Sequence, residues 1–140
     1  MLPEKKGDDF MPKRRRAETV DAYAPDGSEI RDLVGRAQGA TRLSLAEALV
    51  PPGQRTRKVY HQTVYEEVWY IVRGSGTMHV QAPGSSDEEV FDVAPGDAVL
   101  ILPRHGFWVR NTGDDDLVFL CCGSPPWPGD DEARPWPPRP

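Results

Sequence analysis

His61 and Glu67 are the side chains in this sequence whose chemistry and placement stand out. An imidazole changes charge near neutrality and a carboxylate can take or give a proton, so the pair could move a proton on a bound molecule. Both groups are also metal donors. They lie in the run His61-Gln62-Thr63-Val64-Tyr65-Glu66-Glu67-Val68-Trp69-Tyr70-Ile71-Val72-Arg73-Gly74-Ser75-Gly76, where a polar stretch leads into an apolar, aromatic segment closed by a glycine turn. Tyr60, Thr63 and Tyr65 sit beside them and could donate hydrogen bonds to a developing enolate or carbonyl oxygen. No phosphate loop and no Ser-His-Asp or Cys-His spacing is present. Cys121 and Cys122 are adjacent, which strains any disulfide between them. Alternation puts one of the two on an inner face, where it serves as a small buried hydrophobe.

The elements that must position these groups read as strands. Short apolar runs at Glu29–Val34, 41–50, 55–60, Glu66–Arg73, Gly76–Gln81, 88–93, 98–102, 107–110 and 116–122 alternate with turn formers. Those turns include Pro51-Pro52-Gly53, Gly74-Ser75-Gly76, Pro95-Gly96-Asp97 and Asn111-Thr112-Gly113-Asp114. Many short strands at near-regular spacing indicate an all-β sandwich or barrel. If Glu67 faces inward, the period of two sends Trp69 and Ile71 inward with it. Met78 then lines the same interior and His79 faces out. Residues 1–25 read as a flexible, charged N-terminal arm, 26–123 as the barrel, and 124–140 as a proline-rich C-terminal tail. In that tail Trp127 and Trp136 lay their rings on apolar surface, and proline excludes ladder pairing.

The chain of 140 residues supports one core, and its formal charge of -5 argues against a nucleic-acid partner. The cluster Lys13-Arg14-Arg15-Arg16 reads as part of a solvated arm. No run reaches the roughly 20 apolar residues of a membrane helix. With no secretory leader pattern and no disulfide framework, the expected setting is cytoplasmic.

The order of these features resembles the cupins, single-domain members in particular. The residues that carry the resemblance are Pro51-Pro52-Gly53, the run from His61 to Gly76, Pro95-Gly96-Asp97, Ile101-Leu102-Pro103 and Arg110-Asn111-Thr112-Gly113-Asp114. It implies a double-stranded β-helix, a jelly-roll barrel with its site in the interior. It also implies a metal cage of three histidines and a glutamate, and this chain is poor in those ligands. Glu67 takes the glutamate slot. Counting back from it, His61 fills the first histidine slot and Thr63 replaces the second. Counting forward from Pro51-Pro52-Gly53, Val59 fills the first and His61 the second. The third histidine slot falls on Phe107, with His105 two residues earlier.

Two expectations about cofactors follow. One is a metal-free site in which His61 is the proton shuttle and Glu67 orients it or acts as base, within a pocket walled by Tyr60, Thr63, Tyr65, Trp69, Met78 and Phe107. The reaction would be an isomerisation, cyclisation or dehydration of a carbonyl-bearing metabolite. The other is a divalent iron, zinc or manganese held by His61, Glu67 and His105, as in a dioxygenase-like cupin. A non-catalytic ligand-binding module is a third reading. The resemblance further implies a small-molecule partner and a homodimer.

Overall fold

Eleven strands form two facing antiparallel sheets in the computed structural model, which describes residues 13–16 and 22–139. The strands are β1 Ala22–Tyr23, β2 Glu29–Val34, β3 Ser44–Val50, β4 Val59–His61, β5 Glu66–Arg73, β6 Gly76–Gln81, β7 Glu89–Val93, β8 Ala98–Ile101, β9 Gly106–Asn111, β10 Leu117–Ser124 and β11 Ala133–Pro135. The six-stranded sheet runs β1-β2-β3-β10-β5-β8 and the five-stranded sheet β11-β4-β9-β6-β7. Two short 3-10 turns, Arg36–Gln38 and Asp130–Glu132, are the only helical elements among the described residues. This is the all-β barrel that the strand spacing indicates, in the jelly-roll form that the resemblance implies.

The period-two pattern of β5 decides what faces the interior. Glu67, Trp69 and Ile71 are buried while Glu66, Val68, Tyr70 and Val72 are exposed. β10 lies between β3 and β5, with Gly123 opposite Glu67 and Cys121 opposite Trp69. On the other sheet Val59 pairs with Phe107 and His61 with Ala133. Val59, Trp69, Ile71, Met78, Phe107, Val109, Leu117 and Phe119 join in one core between the sheets. Each large apolar side chain fully withdrawn from water contributes about 1.5–3 kcal/mol.

The turns are built from groups the sequence places there. Gly74 adopts φ +83° between β5 and β6, and a Cβ there would overlap the Asp116 carbonyl, so the turn needs glycine. Asn111, fully buried, donates from Nδ2 to the carbonyls of Val50 and Asp115 (both 2.8 Å) and accepts from the Gly113 N–H (2.9 Å), riveting three segments.

Two expectations are corrected here. Residues 133–135 form β11 and pair with β4, Pro135 included, so the proline-rich segment does enter a ladder. β11 is an edge strand, where a missing N–H can point away from the sheet. At the other end, Ala22 and Tyr23, placed with the arm, pair with β2, and Arg16 holds Glu47 at 2.9 Å. Of the predicted arm, residues 1–12 and 17–21 lie outside the described residues.

Candidate functional site

His61 and Glu67 come from opposite sheets and face one cavity of about 370 Å³. They make no hydrogen bond to each other; the partners of each lie elsewhere. Glu67 accepts from the Tyr65 hydroxyl on Oε2 and from the Trp69 indole N–H on Oε1, both at 2.7 Å. His61, 3 % exposed, sits in a box of rings: Tyr65 at 4.9 Å, Phe107 at 5.0 Å and Trp127 at 5.8 Å between centroids. Its Nδ1 is sealed and has no hydrogen-bond partner among the described residues. A buried acceptor lone pair is tolerated better than a buried unpaired N–H, so we assign the ring proton to Nε2. Nε2 is then the nitrogen that meets a molecule in the cavity.

Burial acts on the two groups in opposite directions. It lowers the His61 imidazole from its ordinary value of 6.5 to about 4. It raises the Glu67 carboxyl above its ordinary 4.5, against the donors Tyr65 and Trp69, with the charge of Asp26 adding to the rise. The usual order of proton affinity is therefore inverted: the carboxylate holds a proton more tightly than the imidazole does. Burial and the Glu67 charge likewise keep the Tyr65 phenol protonated.

The expected site residues divide into two groups. His61, Tyr65, Glu67, Trp69 and Phe107 line the cavity. Tyr60, Thr63, Met78 and His105 do not. Tyr60 faces away from the interior and meets Trp136 edge-on at 6.1 Å. Thr63 is exposed beyond the end of β4, where its N–H and hydroxyl bind the Glu132 carboxylate. Met78 is fully buried in the core, away from the cavity wall. His105 stays in the turn after β8, its Nδ1 3.1 Å from the Pro103 carbonyl oxygen. Because Val59 and His61 share one strand face and Thr63 does not, the count forward from Pro51-Pro52-Gly53 is the one that matches the geometry.

The expected metal set of His61, Glu67 and His105 is therefore not assembled. Among the described residues no group of three or more His, Cys, Asp or Glu stands together as a metal site would need. The donors present do not fit such an ion, and no step is derived through one.

Sequence reasoning missed Asp26, Ser28, Ser44, Phe119 and Trp127, all of which line the cavity. Asp26 is 7 % exposed, and its Oδ1 accepts from the Ser28 N–H at 2.9 Å and the Ser28 hydroxyl at 2.7 Å. Asp26-Gly27 reads as an ordinary turn, and it is the pairing of β1 and β2 at the edge of the six-stranded sheet that carries it to the cavity wall. Cys121 is the inward member of the cysteine pair, and burial raises its thiol well above the usual range.

Residues 46–123 match the cupin domain family, more than half of the chain. The chain belongs to the cupins. A similar chain is an uncharacterised protein of Methanocaldococcus jannaschii, 38% identical over 107 residues, which are 76% of this chain and 80% of that protein. The capsular polysaccharide assembling protein CapF of Staphylococcus aureus superposes with a TM-score of 0.70 at 16% identity, over 85% of this chain and 34% of that one. The oxalate decarboxylase of Lactobacillus farciminis, as its formate complex, gives 0.65 at 23% identity over 76% and 31%. This cupin spans about a third of those solved chains, and at such identity they share its fold alone. The family match ends at Gly123, yet Trp127 and β11, which complete the His61 environment, lie beyond it.

Proposed function

We propose that this cupin is an enzyme that moves a proton next to the carbonyl of a small metabolite held in the barrel. The observation that carries the reading is that His61 and Glu67 line one cavity from opposite walls without bonding to each other. A molecule between them meets both. Glu67 as carboxylate is the base: burial strengthens its hold on a proton, and Tyr65 and Trp69 fix its oxygens. The substrate C–H bond breaks, its proton goes to Glu67, and the electron pair moves toward the carbonyl oxygen. His61, neutral, donates from Nε2–H to that oxygen as charge develops on it. In a hydroxyketone, return of the proton from Glu67 to the former carbonyl carbon, while the hydroxyl proton passes to the former carbonyl oxygen, gives the isomeric carbonyl compound. Where a hydroxyl stands one carbon beyond the one deprotonated, it leaves as the carbonyl re-forms and takes the proton from Glu67, giving the unsaturated carbonyl compound and water. The role of His61 thus shifts from shuttle to hydrogen-bond donor.

The test is exchange. The protein is incubated in D2O with small aldehydes, ketones and hydroxyketones, and loss of the proton next to the carbonyl is followed by proton NMR. A substrate should exchange, and Glu67→Gln and His61→Phe should each slow it about 100-fold or more. No exchange with any carbonyl compound, or exchange untouched by both substitutions, contradicts the reading.

A homodimer is supported by the apolar outer face of β5 and the edge strand β8, where Val68, Tyr70 and Leu100 are 39%, 49% and 53% exposed. Tyr70→Glu should shift the chain to monomer in sedimentation. The free thiols of Cys121 and Cys122 support a reducing, cytoplasmic setting. Among the described residues no helix is long and apolar enough to cross a membrane.

A further inference from the structure

We infer that the molecule bound in the cavity carries an alkylammonium group and that Asp26 is its anchor. This rests on the cavity being the site proposed above, and it names the class of substrate that site takes.

Asp26 and Glu67 face the same interior, both almost wholly buried. Neither makes an ion pair within 4.0 Å among the described residues. Arg57 acts on Asp26 only from beyond that distance. A buried ionised carboxylate without a cation is costly: it either takes up a proton, the direction in which burial pushes both groups, or is met by an opposite charge. The surroundings of both are nonetheless arranged for the ionised form. Ser28 gives Asp26 two hydrogen bonds, and Tyr65 and Trp69 give Glu67 two more. Both Ser28 bonds fall on Oδ1, and beyond them only the N–H of Asp26 itself bonds the carboxyl, so no other side chain among the described residues occupies it.

The rest of the wall fits a cation as well. Tyr65, Trp69, Phe107, Phe119 and Trp127 all line it, and ring faces attract an ammonium. The cationic residues of the lining, Arg14 and Arg36, are exposed, and its buried imidazole, His61, is held neutral, so no buried positive charge waits to receive an anion. A carboxylate or phosphate driven to depth would meet Asp26 and Glu67 with no counter-charge. An ammonium group supplies the missing charge and several N–H donors at once. The two carboxyls then take separate roles: Asp26 holds the cation and Glu67 works at the carbonyl.

The experiment is calorimetric titration of the full chain with n-butylammonium, 1-butanol and butyrate. Expected is butylammonium binding at least about tenfold tighter than 1-butanol, with butyrate weakest. Asp26→Asn should weaken butylammonium about tenfold or more and leave 1-butanol unchanged. The comparison on the wild-type chain needs no variant and holds if Asp26→Asn does not fold. Equal binding of the alcohol, preference for butyrate, retention of butylammonium by folded Asp26→Asn, or no binding of any of the three overturns the inference. Ammonium selectivity with no exchange of any carbonyl compound leaves the cation site standing and removes the reaction; exchange without ammonium selectivity does the reverse.

Discussion

The phenol oxygen of Tyr65 occupies the space where a side chain at position 123 would begin. Gly123 stands opposite Glu67 in the β5–β10 ladder, so its missing side chain is what lets the Tyr65 hydroxyl reach Glu67 Oε2. A cavity wall, a buried carboxyl and a backbone position are tied together by one absent methyl group.

Gly123→Ala should therefore act on the site as well as on stability. The added Cβ must push the Tyr65 ring aside, at a cost of about 1–3 kcal/mol of overpacking. Tyr65→Phe keeps the ring and removes the donor, at about 1.5–3 kcal/mol for a hydrogen bond to an ionisable partner. Urea unfolding measures both. If the first lesion works through Tyr65, the pair in one chain should cost clearly less than the sum of the two. Full additivity would mean that the two positions act independently.

His61 should make stability depend on pH in a stated direction. The unfolded imidazole titrates near 6.5 and the folded one near 4. Between those values the unfolded chain binds more protons, so this contribution falls as pH drops through the window and is fully lost below about 4, amounting to roughly 3 kcal/mol. Asp26 and Glu67, raised in the fold, act with the opposite sign: their contribution is full at low pH and falls as pH rises through their folded values. Comparison with His61→Phe removes their effect. The difference in unfolding free energy between the two chains should change by about 3 kcal/mol from pH 7 to pH 4, and a constant difference would contradict the burial argument.

The segment after the shared barrel should matter to both fold and site. Glu132, 3 % exposed, binds the N–H and hydroxyl of Thr63, while Gln62 bonds the Glu132 and Asp131 carbonyls at 2.9 and 2.7 Å. Glu132→Ala should cost about 2 kcal/mol, and Trp127→Ala a similar amount for a half-buried ring. Trp127→Ala also opens the box around His61, so the His61 imidazole should titrate closer to 6.5 in an NMR titration. An unmoved His61 would show that Trp127 is not what keeps water from the ring.

Much of the fold was legible because local chemistry and global topology agree. β2, β5 and β6 lie where alternation and turn residues place them. β11 was hidden because a proline-rich sequence carries no strand signal, and it pairs only where an edge is offered by β4. The site was half legible. Alternation on β5 tied Trp69 and Ile71 to the face of Glu67, and the structure shows that face turned inward. The reading in which Glu67 orients His61 needs contact between them, whereas the turn between them sends β4 and β5 to different sheets. Asp26 and Ser28 carry no motif, and it is long-range folding that makes them part of the wall.

The inverted proton affinity of His61 and Glu67 is the central claim, and it can be read without knowing the substrate. Imidazole nitrogens labelled with 15N and glutamate carboxyls labelled with 13C report the protonation state of each group as pH is varied. The expected result is a neutral His61 with its proton on Nε2 down to a titration at about 4, and a Glu67 carboxyl titrating above 4.5. A His61 that titrates near 6.5, or a Glu67 that titrates below 4.5, would restore the ordinary order and contradict the account.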